Sequence, residues 1–318
     1  MNNQDTLTFE EVSERHVPLL FSWLNSTRLK DVYDEGYSSQ EGVLCKYLAK
    51  TKLIKRFIVS LKGSSFGYIQ AYDVLPSHEY AKYRSSKGVT KGIDLFIGDE
   101  AYLGEGYEFQ MLKEFIPFLG REVDRVLVDP LKENSSLLLF KKYGFKELGS
   151  VNDHLILAID IRYTVRAILI NEQKHILLMK LEDNITIDNS RPDDHFWVTI
   201  GGTIEKGEDE IQALKREVQE EAGIYNFVIG RLAFYGEHTL LFHHFPVRHF
   251  EKFYFVNTKE ESTHQDNLTE NEKKVFRDVR FWSIQQLLCT DEIVYPRSLA
   301  QELANAFSGG LIPKEIVL

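Results

Sequence analysis

The segment GTIEKGEDEIQALKREVQEEAGI, residues 202–224, constrains the fold of this chain more than any other stretch. Asp209 with Gln212 three places on is a capping box, in which two orphan backbone donors are satisfied reciprocally, so a helix starts there. Gly223 suits the left-handed residue that ends one. The spacing predicts a helix over 210–222 whose residues Ile211, Leu214, Val218 and Ala222 share the face that meets a core. Glu217, Glu220 and Glu221 stand at i, i+3 and i+4, read as a carboxylate face opposite that stripe. Like charges at this spacing repel by about a few tenths of a kcal/mol per pair, a cost that a divalent cation reverses. Oxygen ligands without Cys or His suit Mg²⁺ or Mn²⁺.

At 318 residues the chain exceeds what one hydrophobic core usually fills, so two domains are expected. The pattern changes near residue 160, where LILAID (155–160) reads as a last strand and YTVRAILI (163–170) as a new first strand. The expected domains are 1–160 and 161–318. A composition of 43% hydrophobic and 27% charged residues is that of a soluble globular protein, and no apolar run is long enough for a membrane span. The start, MNNQDTLTFEEVSE, lacks the basic and apolar regions of a secretory signal, so a cytoplasmic location is expected. A net charge of -10 argues against a nucleic-acid partner and for small molecules. Cys45 and Cys289 give neither a disulfide framework nor a zinc spacing and are expected to be partly buried thiols.

The first half alternates elements in an α/β manner. Helices are expected over 14–24 and 39–48, a hairpin around Lys62-Gly63-Ser64-Ser65, and a strand over 92–98. The turn Leu103-Gly104-Glu105-Gly106 leads into a helix with Tyr107, Met111, Leu112, Phe115, Ile116 and Leu119 at helical spacing, followed by the strand VLVDP (126–130) and a helix ending before Tyr143. In the second half HILLMK (175–180) and FWVTIGG (196–202) read as strands. His238, His243, His244 and His249 are not expected to hold a metal. His243 and His244 are adjacent on an expected strand and face opposite ways, and none of the four forms an i, i+4 pair.

From Gly202 the segment satisfies G-x5-E-x7-R-E-U-x-E-E-x-G-U, with U aliphatic, at Gly202, Glu208, Arg216, Glu217, Val218, Glu220, Glu221, Gly223 and Ile224. This half resembles the Nudix hydrolases. The resemblance implies an α/β/α sandwich and a metal-dependent pyrophosphohydrolase acting on a nucleoside diphosphate linked to some group X. It implies metal ligation by Glu217, Glu220 and Glu221, an Arg216 that orients a catalytic glutamate, and a Glu208 that supports Arg216. Gly201 and Gly202 would let the backbone approach metal and phosphate. Glu221 is the first choice of general base, with Glu270 and Glu272 of a charged loop as alternatives.

FSWLN (21–25), GYIQAY (67–72), KGIDLFIG (91–98), LGEG (103–106), VDPLKEN (128–134) and KKYGF (141–145) resemble the GCN5-related N-acetyltransferases, most closely the aminoglycoside 6′-N-acetyltransferase branch. That implies a mixed sheet with flanking helices, and acetyl-CoA bound at Leu103, Gly104, Gly106 and Asn134 on a helix N-terminus. Asp94, Gln70 and Tyr72 would face an aminoglycoside or other small amine, with Asp94 holding or deprotonating the amine. Glu108 stands where the family has the last glycine of the turn, and Phe140 where it commonly has a proton-donating tyrosine. The alternative function is accordingly N-acetyl transfer with an accessory Nudix domain.

Overall fold

The computed structural model describes residues 6–30, 33, 36–49, 51–133, 136–182, 195–242, 244–265, 267–309 and 314–316. The chain divides into two compact units, Met1–Asp160 and Ile161–Leu318. No Gly or Pro interrupts residues 155–170, and the two expected strands are one run of extended chain, His154–Ile170.

In the first unit the strands Leu7–Glu11, Ile54–Leu61, Ser64–Asp73 and Val89–Ile97 pair antiparallel in sequence order. Val123–Val128 then adds in parallel, and residues 157–160 pair antiparallel to it. Lys62 and Gly63, at φ 51° and 83°, make the two-residue turn that suits a twisted hairpin. Side chains alternate across this sheet. Phe57 meets Phe115 of the helix Tyr107–Phe118, while Ile58, Tyr68 and Phe96 form a cluster with the helices Val17–Leu24 and Gln40–Tyr47. The mixed sheet is thus helix-covered on both faces.

The parallel pairing of Val89–Ile97 with Val123–Val128 ends at Gly92↔Leu127. Residues 93–97 continue without a sheet partner on that side among the described residues, which opens a gap at the strand ends.

In the second unit Leu178–Glu182 pairs with His195–Thr199, residues 164–167 pair with 200–203, and Phe276–Trp282 flanks Ile176–Glu182. A long hairpin, Phe227–Phe242 with Phe245–Thr258, completes the sheet. Val165, Ala167, Leu169 and Ile200 face Leu214, Val218 and Ala222 of the helix Glu210–Ala222. Ile168, Ile170, Leu178 and Trp197 face Leu299 and Leu303 of the helix Leu299–Ser308. This alternation is the α/β/α sandwich, and each fully buried Leu or Val in it contributes roughly 1.5–3 kcal/mol.

Three expectations are corrected. Ile211 is exposed and Ala213 is buried in its place. Leu214, Glu217, Val218 and Glu221 are themselves an i, i+3, i+4, i+7 set, so Glu217 and Glu221 extend the apolar stripe instead of opposing it, and both are buried. Cys45 and Cys289 are exposed.

The helix Glu210–Ala222 starts where its caps demand: Asp209 accepts from the backbone of Ile211 and Gln212, and Gln212 Oε1 accepts from the Asp209 N–H. Asp209→Ala is expected to cost about 1 kcal/mol and to lower the melting midpoint of this unit by roughly 2–4 °C, read by scanning calorimetry.

Candidate active sites

The Glu210–Ala222 helix lies across the loop that ends His195–Thr203. Gly201 sits at φ 140°, and a Cβ there would lie 2.1 Å from Val165 O. At Gly202 a Cβ would lie 2.4 Å from Glu217 Oε1. Only glycines let this strand end come so close to its neighbours. The Gly201 N–H donates to Glu221 Oε2 at 2.7 Å.

Arg216 ties the acids together. Its Nε and Nη2 donate to the two oxygens of Glu208 at 2.8 and 3.0 Å, and Nη1 donates to Glu217 Oε1 at 2.8 Å and Glu220 Oε2 at 3.1 Å. The Arg216 hydrogen bond holds the Glu208 carboxyl below its usual range. Burial pushes Glu217 up, and it pushes Glu221 up to about 8 with the Glu217 charge adding to it. Glu220 is the half-buried member of the three, with a side chain 44% accessible.

Sequence reasoning missed Arg166. Its Nη1 donates to Gly201 O at 2.7 Å and its Nε to Glu251 Oε1 at 3.2 Å, so it fastens the glycine loop beside the carboxylates. The signal was present: Arg166 is a charged residue inside the apolar strand YTVRAILI. Of the loop alternatives, Glu272 Oε2 accepts from the Thr269 N–H at 2.7 Å and Glu270 pairs with Lys273 at 3.0 Å. Both belong to a short helix, Glu270–Val275, which the Thr269 capping box starts where a loop is expected.

A cavity of about 520 Å³ opens beside Gly202, lined by Arg162, Arg166, Phe196, His238, Phe242 and His249 among others. Hairpin register puts His238 opposite His249, with rings stacked 5.1 Å apart, and brings their nitrogens and a Glu251 oxygen within 4.8 Å of one another. Glu217, Glu220 and Glu221 are not drawn into so tight a cluster. Cross-strand pairing thus brings together histidines that spacing along the chain keeps apart. His244 lies at φ 65° in the hairpin turn, not on a strand, and His243 lies outside the described residues. Burial, with His238 adding, pushes His249 down to about 2, so its imidazole is neutral and neither ring nitrogen has a hydrogen-bond partner among the described residues.

In the first unit the gap past Gly92 opens into a cavity of about 1070 Å³. Gln70, Asp94, Leu103 and Glu108 line it, together with Asp129, which the sequence reading passed over. Gln70 Nε2 donates to Asp94 Oδ2 at 2.5 Å, and Asp129 is near enough for its charge to act on Asp94. Tyr80 donates to Asp129 Oδ2 at 2.7 Å. Burial raises Asp94, with the Asp129 charge adding, and Asp129 rises for the same first reason. Two such carboxyls resist ionising together.

Tyr72 does not line this cavity: its ring covers Gly92 and stacks 5.6 Å from His78. Gly104 and Gly106 hold φ 77° and 85°, with Gly106 opening the helix Tyr107–Phe118. Phe140 is buried against Phe145, with ring centroids 5.7 Å apart. Asn134 lies outside the described residues.

Comparison with known proteins finds two families. Residues 12–152 match the family described as acetyltransferase (GNAT) domain, and residues 160–303 match the NUDIX domain. No protein with a curated description matches. Among solved structures, AAC(6′)-Ib in complex with paromomycin and acetyl-CoA is 23% identical, covering 48% of this chain and 93% of that one at a TM-score of 0.43. An aminoglycoside N(6′)-acetyltransferase from Legionella pneumophila is 20% identical, covering 49% and 93% at 0.42. An acetyltransferase from Thermus thermophilus is 20% identical, covering 49% and 97% at 0.40.

Proposed function

We propose, for a chain whose residues 160–303 are a NUDIX domain and whose residues 12–152 are a GNAT acetyltransferase domain, that the second unit is a metal-dependent pyrophosphohydrolase of nucleoside diphosphates linked to a group X. The observation that carries this reading is the buried pair Glu217 and Glu221, held against Gly201 and Gly202. Arg216 is shared among Glu208, Glu217 and Glu220, and Arg166 is engaged by Glu251, so one guanidinium serves three box acids while buried Glu221 is held, among the described residues, only by the Gly201 N–H, an arrangement costly for charged carboxylates. The donor set therefore fits a hard divalent ion, Mg²⁺ or Mn²⁺, held by Glu217, Glu221 and Glu220. Glu220, half in solvent, can turn from Arg216 toward that ion. When bound, the ion neutralises pyrophosphate charge and acidifies a water.

The chain's own groups do the rest. Arg216, braced by Glu208, orients Glu217 and Glu220. Burial raises the proton affinity of both Glu217 and Glu221, and Glu221, pushed up to about 8, is favoured as the acceptor of the proton from water. Glu272, whose charge acts on Glu221, is the loop alternative, while Glu270 pairs with Lys273. The cavity lined by Phe196, His238, Phe242 and His249 offers planar faces and neutral nitrogen edges to a base or to X. The deciding experiment incubates the chain with nucleoside di- and triphosphates, dinucleotides, nucleotide sugars and CoA plus Mg²⁺ or Mn²⁺, reading products by mass. Cleavage at a pyrophosphate bond, stopped by a chelator, is expected. No turnover with either metal would sink the proposal.

A second reading is favoured by the Asp94–Asp129 pair at the open strand ends: acetyl transfer by the first unit to an aminoglycoside or other small amine. Residues 93–97, unpaired among the described residues on the side facing Val123–Val128, and Gly106, opening a helix, fit an acetyl-CoA arm and its phosphates, while Glu108 brings an opposing charge to the first turn. Acetyl-CoA supplies the thioester whose C–S bond is exchanged for the new amide bond. The Asp94–Asp129 pair holds the ammonium and takes its proton, and Phe140 offers none to the thiolate. Acetyl-CoA is expected to raise the unfolding temperature of the chain, and an unchanged midpoint at millimolar ligand would refute this reading.

A further inference from the structure

We infer that the acceptor of the first unit is an amine that also carries an anion, a carboxylate or phosphate, within the span of one small molecule. This rests on the acetyl-transfer reading and names its substrate class. The cross-strand register sets Arg56 opposite Gln70, and Gln70 opposite Asp94, so the three form one row on a single face of the sheet. Asp129, two residues past the last parallel pair Gly92↔Leu127 just as Asp94 is, continues the row and lines the same cavity as Asp94. All four line the same cavity.

Charge therefore changes sign along the row, from a guanidinium through an amide to a pair of acids. Gln70 is a spacer: its Nε2 is given to Asp94, and its Oε1 accepts from the buried Tyr68 hydroxyl at 2.7 Å. Two further cations, Arg28 and Lys46, line the cavity from the helices Thr27–Lys30 and Gln40–Tyr47, and Arg28 leaves its Nε buried without a hydrogen-bond partner among the described residues. Glu108 and Glu133 also line the cavity, so it holds both signs of charge, and along the row itself the guanidinium of Arg56 and the acids Asp94 and Asp129 stand at opposite ends. A zwitterion satisfies both ends, the ammonium at Asp94 and Asp129, the anion at Arg56. Neighbouring strands lie about 4.8 Å apart, so the backbones of Arg56 and Asp94 are separated by roughly 10 Å, a span that an amino acid or an amino-sugar phosphate bridges with Arg56 reaching inward.

The test is calorimetric binding to the full chain without acetyl-CoA, using matched pairs: L-lysine against cadaverine, glucosamine 6-phosphate against glucosamine, and kanamycin as a polycation. The anion-bearing member of at least one pair is expected to bind at least ten-fold more tightly than its match, and which pair responds tells carboxylate from phosphate. Arg56→Gln should bring that ratio close to one with the unfolding temperature unchanged, Arg56→Lys should keep most of it, and Asp94→Asn should weaken both members alike. Equal or tighter binding of the anion-free members or kanamycin, no binding by any probe, or an Arg56→Gln ratio like that of the parent overturns the inference. Acetyl-CoA protection against unfolding is measured separately, so a failed ratio with protection intact condemns the acceptor class and leaves acetyl transfer standing.

Discussion

Glu221→Gln is expected to lower pyrophosphate cleavage by on the order of 10²–10³-fold while leaving the fold in place, comparable with removing one preorganised electrostatic group from an active site. Glutamine keeps the volume, and its carbonyl can still accept the Gly201 N–H, so packing of the buried site survives. What is lost is a charge. In the absence of metal that charge destabilises the chain. Burial raises Glu221 from 4.5 to about 8, so the folded state holds the proton more tightly than the unfolded one. The contribution is present in full below pH 4.5 and is lost as pH rises toward 8. In a chelator the parent should therefore lose stability across that window, and Glu221→Gln should lose less. Adding Mg²⁺ should restore the parent and do little for the variant. Thermal midpoints at several pH values, with and without Mg²⁺, read this directly, and parent-like turnover or equal Mg²⁺ protection in the variant would refute the ligand assignment.

Gly201→Ala should be the most damaging single methyl in the second unit. Its φ of 140° is strained for any L side chain, and the Cβ would lie 2.1 Å from Val165 O and 2.8 Å from Arg166 Cα, both backbone atoms that cannot turn aside. Backbone strain of this kind costs about 1–3 kcal/mol before the clash is added, so a loss of at least roughly 3 kcal/mol is expected. Relief requires the loop to move, which pulls the Gly201 N–H from Glu221 and the Gly201 O from Arg166. Activity should fall with stability. Gly207→Ala is the control: Gly207 also has a positive φ, 90°, but a Cβ there meets nothing within 4 Å. It should cost about 1 kcal/mol and keep turnover. Urea unfolding and metal-dependent turnover of the two variants give the comparison, and similar losses in both would show that the approach at Gly201 does not matter.

The elements that could be read in the sequence were those whose cause is local. The helix 210–222 came from its cap at Asp209 and its stop at Gly223, and the turn at Lys62-Gly63 came from the glycine, which takes positive φ without strain. The acids of the box were legible as a set because the motif names them. Their environment was not. Arg166, Glu251 and Asp129 escaped notice because each matters through a partner far along the chain: Glu251 for Arg166, Asp94 for Asp129. His238 and His249 became neighbours through hairpin register, which helical or strand spacing within one segment does not reveal.

By itself the sequence determined where the helix 210–222 begins and ends, that two α/β units follow one another, and which carboxylates the box groups together, since capping, periodicity and motif spacing act over a few residues. Only the tertiary structure decided that Glu217 and Glu221 are buried while Glu220 is not, and that Arg56, Gln70, Asp94 and Asp129 stand in one row. Desolvation and cross-strand pairing depend on which distant segment packs against a residue, and that is settled when the sheet closes on its helices.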